Sequence, residues 1–374
     1  MYMSENALNP TAFRSLKRME SDVVRMTAGL LGGGEGACGI MTSGGTESCL
    51  LAVKAYRDMA RRRKRWLVTP EIVVPRTVHV AFEKAAHYFG VKLVHAPLGP
   101  DFRVDPRAVR RRINRRTAAI VASAPCYPFG VIDPVPDLAE IASRRGIPLH
   151  VDACLGGFLL PFVERLGRPV PPFDFRVPGV TSMSADVHKY GFSAKGASVI
   201  VYRDVDVLEH QIFVYADWPG GVFASPGVLG TRSGGPVAAA WAALMAVGEE
   251  GYVEIARTIM DTTRRLLEGI EAIPGLDVVG RPDMSVFAYR STDPALSIYA
   301  VGDRMESRGW HVDRTQSPEG LHAMVTPRHA AVVDSYLADL AASVDEVRRD
   351  PDLALKGGAA MYGMIAHVPI RGLV

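Results

Sequence analysis

Residues 184–191 read Ser184-Ala-Asp186-Val-His188-Lys189-Tyr190-Gly191. This polar loop lies between two apolar, β-like runs at residues 180–183 and 197–202. A lysine flanked by histidine and tyrosine after a strand is a candidate for forming a Schiff base, because partial burial can lower the pKa of its amine. The ordinary alternative is a solvated surface lysine.

The loop belongs to a region, from about residue 36 to 203, in which β-branched runs alternate with amphipathic helical stretches. This alternation predicts an α/β fold with a mostly parallel sheet and helices on both faces. Ligands in such sheets bind at the carboxyl ends of the strands, so functional residues are expected in loops after strands. The predicted strands are 71–75, 91–96, 118–122, 148–151 and 197–202, and the predicted helices are 47–63, 80–89, 106–113 and 136–145.

After about residue 248 the pattern changes to a long helix followed by strands and helices of an α+β type. We therefore expect two domains, a large one over residues 1–248 and a small C-terminal one over residues 249–374. The predicted helices here are 252–273, 297–309 and 329–349, and the predicted strands are 276–279, 285–289 and 322–326.

A second polar motif, His150-Val-Asp152-Ala153-Cys154-Leu-Gly156-Gly157, follows an apolar strand. An aspartate in this position can reach a buried cofactor, and the small residues after it permit close approach. In pyridoxal phosphate (PLP) enzymes an aspartate pairs with the pyridine nitrogen. The alternative for Asp152 is an ordinary helix N-cap.

A third motif, Met41-Thr42-Ser43-Gly44-Gly45-Thr46-Glu47-Ser48, precedes a predicted helix. Glycines and hydroxyls at a helix N-terminus can surround a phosphate with backbone N–H groups. A plain capped turn would have the same composition, and no Walker lysine follows.

The three motifs together are more specific than any one of them. A phosphate cup near residue 45, an aspartate near 152 and a lysine near 189 follow the order of a PLP site, and His79 adds an imidazole suited to stacking on the ring. The combination predicts PLP binding.

The amino-acid composition argues against several classes of function: nucleic-acid binding, metal binding and membrane insertion are not expected. The 374 residues carry 43 basic and 40 acidic side chains, a net charge of +3, so a nucleic-acid partner is not expected despite basic runs at 61–65 and 107–116. Four cysteines without zinc spacing predict a reduced, cytoplasmic protein without a metal site. No stretch is long and apolar enough to predict a membrane span.

The sequence resembles the sphingosine-1-phosphate lyases, fold-type I PLP enzymes related to the group II amino-acid decarboxylases. The matching stretches are 6–10 (Asn-Ala-Leu-Asn-Pro), 41–48, 70–90, 130–136, 150–158, 182–196 and 217–235. The resemblance implies a mostly parallel central sheet, a small C-terminal domain, and cleavage of a phosphorylated sphingoid base to a fatty aldehyde and phosphoethanolamine.

The resemblance also implies cofactor-binding roles. Lys189 would hold PLP covalently with His188 beside it against the phosphate, Asp152 would pair with the ring nitrogen, and His79 would stack on the ring. The phosphate would be bound by Gly45 and Thr46 and by a turn of the partner subunit, which reads Gly230-Thr231-Arg232 here. A homodimer with its site at the subunit interface is therefore expected.

Three further residues resemble substrate-side residues of the family. Lys195 would bind the substrate phosphate, and Tyr127 and Tyr362 would lie at the substrate end. The ordinary alternatives are a solvated lysine, a turn-packing tyrosine and a tail aromatic. Which residue is the general base stays open.

Two other functions stay open: a PLP-dependent amino-acid decarboxylase, and a catalytically silent protein of the same fold. Lys195 and the run 224–235 favour the lyase. Relatives carry more chain ahead of the Asn6 motif, and eukaryotic ones carry a membrane helix there. We therefore expect a bacterial type and a sequence that is short at its N-terminus.

Overall fold

In the computed structural model, residues 2–7 and 12–367 are described, and they divide into two compact units. Unit 1 comprises residues 1–126 and 131–253, and unit 2 comprises 127–130 and 254–374. The division falls within a long helix, Gly234–Glu271, that is interrupted at Gly248, where the backbone leaves helical geometry. The functional division at residue 248 stays a prediction.

Unit 1 is built on a seven-stranded sheet with strand order β1-β7-β6-β5-β4-β2-β3. Its strands are β1 (Cys38–Thr42), β2 (Glu71–Pro75), β3 (Lys92–Ala96), β4 (Thr117–Ser123), β5 (Leu149–Asp152), β6 (Val180–Ala185) and β7 (Ser198–Tyr202). Only β7 runs antiparallel to its neighbours, β1 and β6. The predicted mostly parallel sheet is therefore confirmed.

Helices cover this sheet, and a two-stranded hairpin follows it. The helices are α1 (Arg14–Leu30), α2 (Gly45–Arg63), α3 (Ala81–Phe89), α4 (Pro106–Arg112), α5 (Val135–Arg145), α6 (Leu160–Arg165), α7 (Val205–Leu208) and the start of α8 (Gly234–Glu271); the hairpin strands are β8 (Phe213–Tyr215) and β9 (Phe223–Ser225). Helix α2 buries Leu51, Ala55 and Tyr56 in the apolar core that it shares with α3 and the strands. Burial of this face fixes the position at which α2 begins, beside the end of β1.

Unit 2 contains a four-stranded antiparallel sheet with order β10-β11-β13-β12 and its own apolar core. Its elements are β10 (Leu276–Val278), β11 (Val286–Ser291), α9 (Ile298–Ser307), β12 (Asp313–Gln316), β13 (Glu319–Met324), α10 (Val333–Arg349) and α11 (Gly357–His367). Short 3-10 turns complete the two units at Tyr2–Ser4, Gly156–Phe158, Pro327–Ala331 and Pro351–Leu355.

Among the described residues, no helix has both the length and the apolar character that crossing a membrane requires. Residues 8–10 of the N-terminal motif lie outside the described residues.

Candidate active site

The motif residues follow the carboxyl ends of strands in unit 1. Because β7 is antiparallel to both neighbours, β1 points in the same direction as β6, and the parallel strands β2 and β5 share that direction. Gly45 follows β1, His79 follows β2, Asp152 ends β5 and Lys189 follows β6. The topology thus brings all three motifs to one edge of the sheet.

Lys189 is held by a buried carboxylate. Its Nζ lies 3.0 Å from Oδ2 of Asp186, whose side chain is 1% exposed. Burial alone would lower the pKa of Lys189, but Cys154, Asp186 and Asp152 outweigh it and raise the pKa above its ordinary value. Because the thiol of Cys154 is itself neutral near pH 7, the two carboxylates carry the attraction there.

His188 has a defined tautomer. Its Nδ1 accepts the backbone N–H of Ala197 at 3.1 Å, so a neutral ring carries its proton on Nε2. That nitrogen lies 3.4 Å from Oδ2 of Asp186. Asp186 therefore contacts both the imidazole and the amine of the His-Lys pair.

Asp152 is fixed by a buried network of polar groups. Its Oδ1 accepts the backbone N–H of Cys154 and the hydroxyl of Ser184, each at 3.1 Å. Ser184 also contacts Nε2 of His150 at 3.3 Å, and Nδ1 of His150 lies 2.7 Å from the Ser182 hydroxyl. These contacts orient one carboxylate oxygen and the strand end that carries it.

Two thiols pack beside Asp152. The sulfur atoms of Cys49 and Cys154 and an oxygen of Asp152 all lie within 4.8 Å of one another, and all three side chains are buried. The hydrogen bond between the two thiols lowers the pKa of Cys49 and raises that of Cys154. Burial and the carboxylates of Asp152 and Asp186 raise the pKa of both, so that each lies above its ordinary value. Both cysteines are neutral packing groups at pH 7.

The N-terminus of α2 provides backbone donors beside these groups. No side chain caps this helix at Gly44, so its first N–H groups point toward the end of β1. A Cβ on Gly45 would lie 2.7 and 2.8 Å from the two oxygens of Asp186 and 2.8 Å from the sulfur of Cys154. Glycine is required there because the carboxylate and the thiol occupy the space of a side chain.

The other predicted cofactor residues have ordinary contacts within the chain. His79 is exposed, and its Nδ1 accepts the N–H of Ala81 at 3.2 Å at the start of α3. Thr46 occupies the first turn of α2 beside Gly45. Gly230 and Thr231 precede Arg232, which binds Glu20 of α1 at 2.7 Å and the carbonyl of Met41 at 2.8 Å.

The predicted substrate-side residues divide between the units. Lys195 belongs to unit 1, is exposed, and donates from Nζ to the carbonyl of His188 at 2.9 Å. Tyr127 and Tyr362 belong to unit 2. There the Tyr127 ring lies 4.3 Å from that of His322. The guanidinium of Arg314 lies 4.9 Å above the Tyr362 ring.

Sequence reasoning missed two carboxylates of this site. Asp186 is three residues before Lys189 inside the quoted loop, but nothing in the spacing says that it turns toward the amine. Glu47 was predicted only as part of a helix, yet its Oε2 accepts the N–H and hydroxyl of Ser43 at 2.7 Å, and its Oε1 accepts the N–H of Val228 at 2.8 Å. An acidic residue in the first turn of a helix was the available signal for Glu47.

These residues fit a phosphate-bearing aldehyde such as PLP. The uncapped amides of α2 suit a phosphate, and the amine of Lys189 suits an aldehyde. Among the described residues, Oδ1 of Asp186 is a buried oxygen without a hydrogen-bond partner, beside the space that Gly45 leaves. The site therefore has both the donors and the room for such a group.

Comparison with known proteins identifies the class of protein to which this chain belongs. Residues 11–291 match the pyridoxal-dependent decarboxylase conserved domain, and pyridoxal 5'-phosphate is the cofactor of this class. The Lactobacillus brevis glutamate decarboxylase structure superimposes with a TM-score of 0.82 over 95% of this chain and 84% of that chain, at 22% identity, which supports the fold.

More similar proteins define the family. The sphingosine-1-phosphate lyase of Arabidopsis thaliana is 47% identical over 100% of this chain and 69% of its own length. The probable sphingosine-1-phosphate lyase of Legionella pneumophila is 36% identical over 95% of this chain and 60% of its own length. The structure of the Burkholderia pseudomallei sphingosine-1-phosphate lyase matches with a TM-score of 0.89 and 42% identity, covering 97% of this chain and 83% of that chain. The chain belongs to the sphingosine-1-phosphate lyase family.

Proposed function

We propose that this chain cleaves phosphorylated sphingoid bases between C2 and C3, and releases a fatty aldehyde and phosphoethanolamine. The observation that carries the proposal is the amine of Lys189, held 3.0 Å from Asp186 beside the N-terminus of α2. A chain 47% identical to a named sphingosine-1-phosphate lyase supports this substrate class over an amino acid. Amino-acid decarboxylases resemble the chain at the level of the fold.

Each cofactor-binding residue has one task in this proposal. The first amides of α2, at Gly45 and Thr46, bind the cofactor phosphate, with His188 beside it. Asp152 accepts a hydrogen bond from the ring nitrogen, and His79 stacks on the ring. Lys189 supplies the amine that bonds to the aldehyde carbon. When bound, PLP withdraws electrons from the C2–C3 bond that breaks.

The substrate end needs a cation and proton-transfer groups. Lys195 is exposed and already oriented by the carbonyl of His188, so its ammonium is available to a substrate phosphate. Tyr127 and Tyr362, which the family resemblance assigns to the substrate, each carry a hydroxyl that can hold the proton taken from the C3 hydroxyl or returned to C2. The assignment of the base among these groups stays open.

A homodimer completes the proposed site. The hairpin β8–β9 and its flanks expose large apolar side chains that a second copy of this chain can cover. These are Phe213, Val214, Tyr215, Trp218 and Val222, each 49–72% exposed. A partner's Gly230 and Thr231, next to this hairpin, would then add donors to the phosphate cup. Four free cysteines fit a reducing, cytoplasmic location.

The test is product analysis by mass spectrometry after incubation of the PLP-loaded protein with sphingosine phosphate and, separately, with amino acids. We expect a fatty aldehyde and phosphoethanolamine from the first and no carbon dioxide from the second. Carbon dioxide without aldehyde would identify an amino-acid decarboxylase instead. Lys189→Ala should abolish both turnover and the absorbance of lysine-bound cofactor, and a variant that kept both would overturn the assignment of Lys189.

A further inference from the structure

The surface of unit 1 at the amino-terminal ends of β2 and β4 is strongly basic. Helix α2 ends there, and the turn that follows it, residues 64–68, leads toward β2. The Nζ of Lys64 donates to the carbonyl of Arg115 at 2.9 Å, and so joins this turn to the loop that precedes β4. The ends of the two basic runs of the sequence, 61–65 and 107–116, therefore meet on one surface.

Three arginines give this surface a local excess of positive charge. They are exposed and form no ion pair with any residue that the structure describes: Arg63, Arg65 and Arg115. The whole chain has 43 basic and 40 acidic residues, so an unpaired cluster of this kind is not a consequence of its composition. An anionic partner would gain from contact with it.

Two large apolar side chains lie in the same turn. Trp66 is 59% exposed and Val68 is 77% exposed, whereas Leu67 between them is 3% exposed and belongs to the core of unit 1. The N–H of Leu67 donates to the carbonyl of Lys64 at 2.8 Å, and the guanidinium of Arg61 donates to the carbonyl of Val68 at 2.6 Å. The turn is therefore fixed from within while its indole and its valine remain in solvent.

We infer that this surface docks on the anionic face of a lipid bilayer. We call it the basic patch, and it consists of Arg63, Arg65, Trp66, Val68 and Arg115. The arginines are attracted to acidic lipid headgroups. The indole has an apolar body and one N–H donor, which suits the boundary between headgroups and hydrocarbon, and the valine adds apolar area to bury there.

A nucleic acid is the other common polyanion that a basic surface can bind. Proteins that bind single strands combine a basic groove with several aromatic side chains on which successive bases stack. The basic patch has a single aromatic residue, Trp66, beside the aliphatic Val68, and a phosphate backbone offers nothing apolar to cover the valine. A bilayer accommodates both the charges and the apolar side chains, so it is the partner that the patch fits better.

The basic patch and the candidate active site lie at opposite edges of the sheet. Helix α2 begins after the carboxyl end of β1, beside the loop of Lys189, and ends near the amino-terminal end of β2. Substitutions in the patch therefore leave the site residues in place. Under the proposed function, docking keeps the chain beside the membranes in which long-chain amphiphiles collect; that consequence, unlike the docking itself, rests on the proposed function.

Vesicle sedimentation tests the inference with the full-length, PLP-loaded protein. One set of vesicles contains phosphatidylcholine alone, and the other contains phosphatidylcholine and phosphatidylglycerol in equal parts. We expect sedimentation with the anionic vesicles only, and a loss of binding as the salt concentration rises. The triple variant Arg63→Gln, Arg65→Gln, Arg115→Gln should bind about a hundredfold more weakly, at about fivefold for each charge removed. Trp66→Ser should weaken binding several-fold with the same dependence on salt.

A second triple variant is the matched control. It removes three exposed arginines that pair with glutamates of their own helices, through Arg144→Gln, Arg257→Gln and Arg264→Gln. Its net charge equals that of the patch variant, and it should bind the anionic vesicles like the unmodified chain. Equal weakening in the two triple variants would mean that net charge, and not the patch, attracts the protein, and would overturn the inference.

Two further results would also overturn it. One is the absence of binding to anionic vesicles at low salt. The other is tighter binding to a short DNA duplex than to anionic vesicles at the same concentration of phosphate groups, which would identify a nucleic acid as the partner. Aldehyde release from detergent-dispersed sphingosine phosphate reports on the proposed function separately: it should be the same in all these variants, and its absence from the unmodified chain would refute the proposed reaction without affecting the vesicle result.

Discussion

A Cβ on Gly45 would lie 2.7 and 2.8 Å from the two carboxylate oxygens of Asp186, which is closer than a methyl group can approach an oxygen. We predict that Gly45→Ala lowers PLP affinity by at least tenfold, about 1.4 kcal/mol, because its methyl group would displace the carboxylate that positions Lys189. Absorbance titration of the stripped protein with PLP measures this. Gly29→Ala, where a Cβ meets nothing within 4 Å, is the control and should bind PLP normally.

Arg232 is predicted to stabilise unit 1 through contacts within its own chain. Arg232 and Glu20 are 11% and 17% exposed, and the guanidinium also binds the carbonyl of Met41. Removing one partner of such a pair leaves a buried charge, so Arg232→Ala should lower the free energy of unfolding by about 3 kcal/mol. Urea denaturation measures this. Arg25→Ala breaks a pair whose arginine is 79% exposed and should cost less than about 1 kcal/mol; equal losses in the two variants would contradict the prediction.

The lowered pKa of the buried His150 leads us to predict that the protein loses stability in acid. Burial lowers its pKa to about 4 from an ordinary value of 6.5. The unfolded chain therefore binds the proton first, and stability falls as the pH drops from about 6.5 to about 4, by about 3 kcal/mol in total. His150→Asn should be less stable at pH 7 but should lose less stability over this range. Urea unfolding at several pH values measures this, and parallel pH profiles for both proteins would refute it.

The motifs at this edge of the sheet could be found in the sequence because each lies in a loop next to a single strand. Buried strands rich in β-branched residues, such as Ile72 to Val74, can be predicted from their composition. Strand β1 could not be predicted in this way, because Ile40 and Thr42 are its only β-branched residues and it contains Gly39, against which the backbone of Ile200 packs too closely for a side chain. Its position beside β7 depends on pairing with a strand about 160 residues later.

Within the site, the inward orientation of the Asp186 side chain could not be predicted from the sequence. The loop containing it and Lys189 was recognised, but which polar side chains turn inward depends on the backbone path between β6 and β7. The hydrogen bond from Ala197 to His188, which fixes the imidazole, joins the two ends of that path. Such contacts come from packing, and no residue spacing encodes them.

Lys195 predicts a selective effect on substrate binding. Its ammonium is exposed and donates to the carbonyl of His188 at 2.9 Å, so it can turn to a phosphate at little cost. Lys195→Met should raise KM for sphingosine phosphate by about tenfold or more, the loss of one charge-assisted contact, and leave PLP absorbance unchanged. Lys64→Met is the matched control, because the Nζ of Lys64 also donates to a backbone carbonyl, that of Arg115 at 2.9 Å. An unchanged KM in Lys195→Met would remove Lys195 from the phosphate site.

The exposed hairpin predicts how the subunits associate. Val214 on β8 is 59% exposed, and a charge there would be buried if a second copy covers the hairpin. Val214→Asp should shift the protein from dimer to monomer in analytical ultracentrifugation. It should also weaken PLP binding, because the donors of the partner's Gly230 and Thr231 would be lost. Val68→Asp, at a valine outside the hairpin that is 77% exposed, should remain dimeric. Val214→Asp with unchanged dimer affinity would exclude the hairpin as the interface, and a monomeric unmodified chain with full PLP affinity would exclude a shared site.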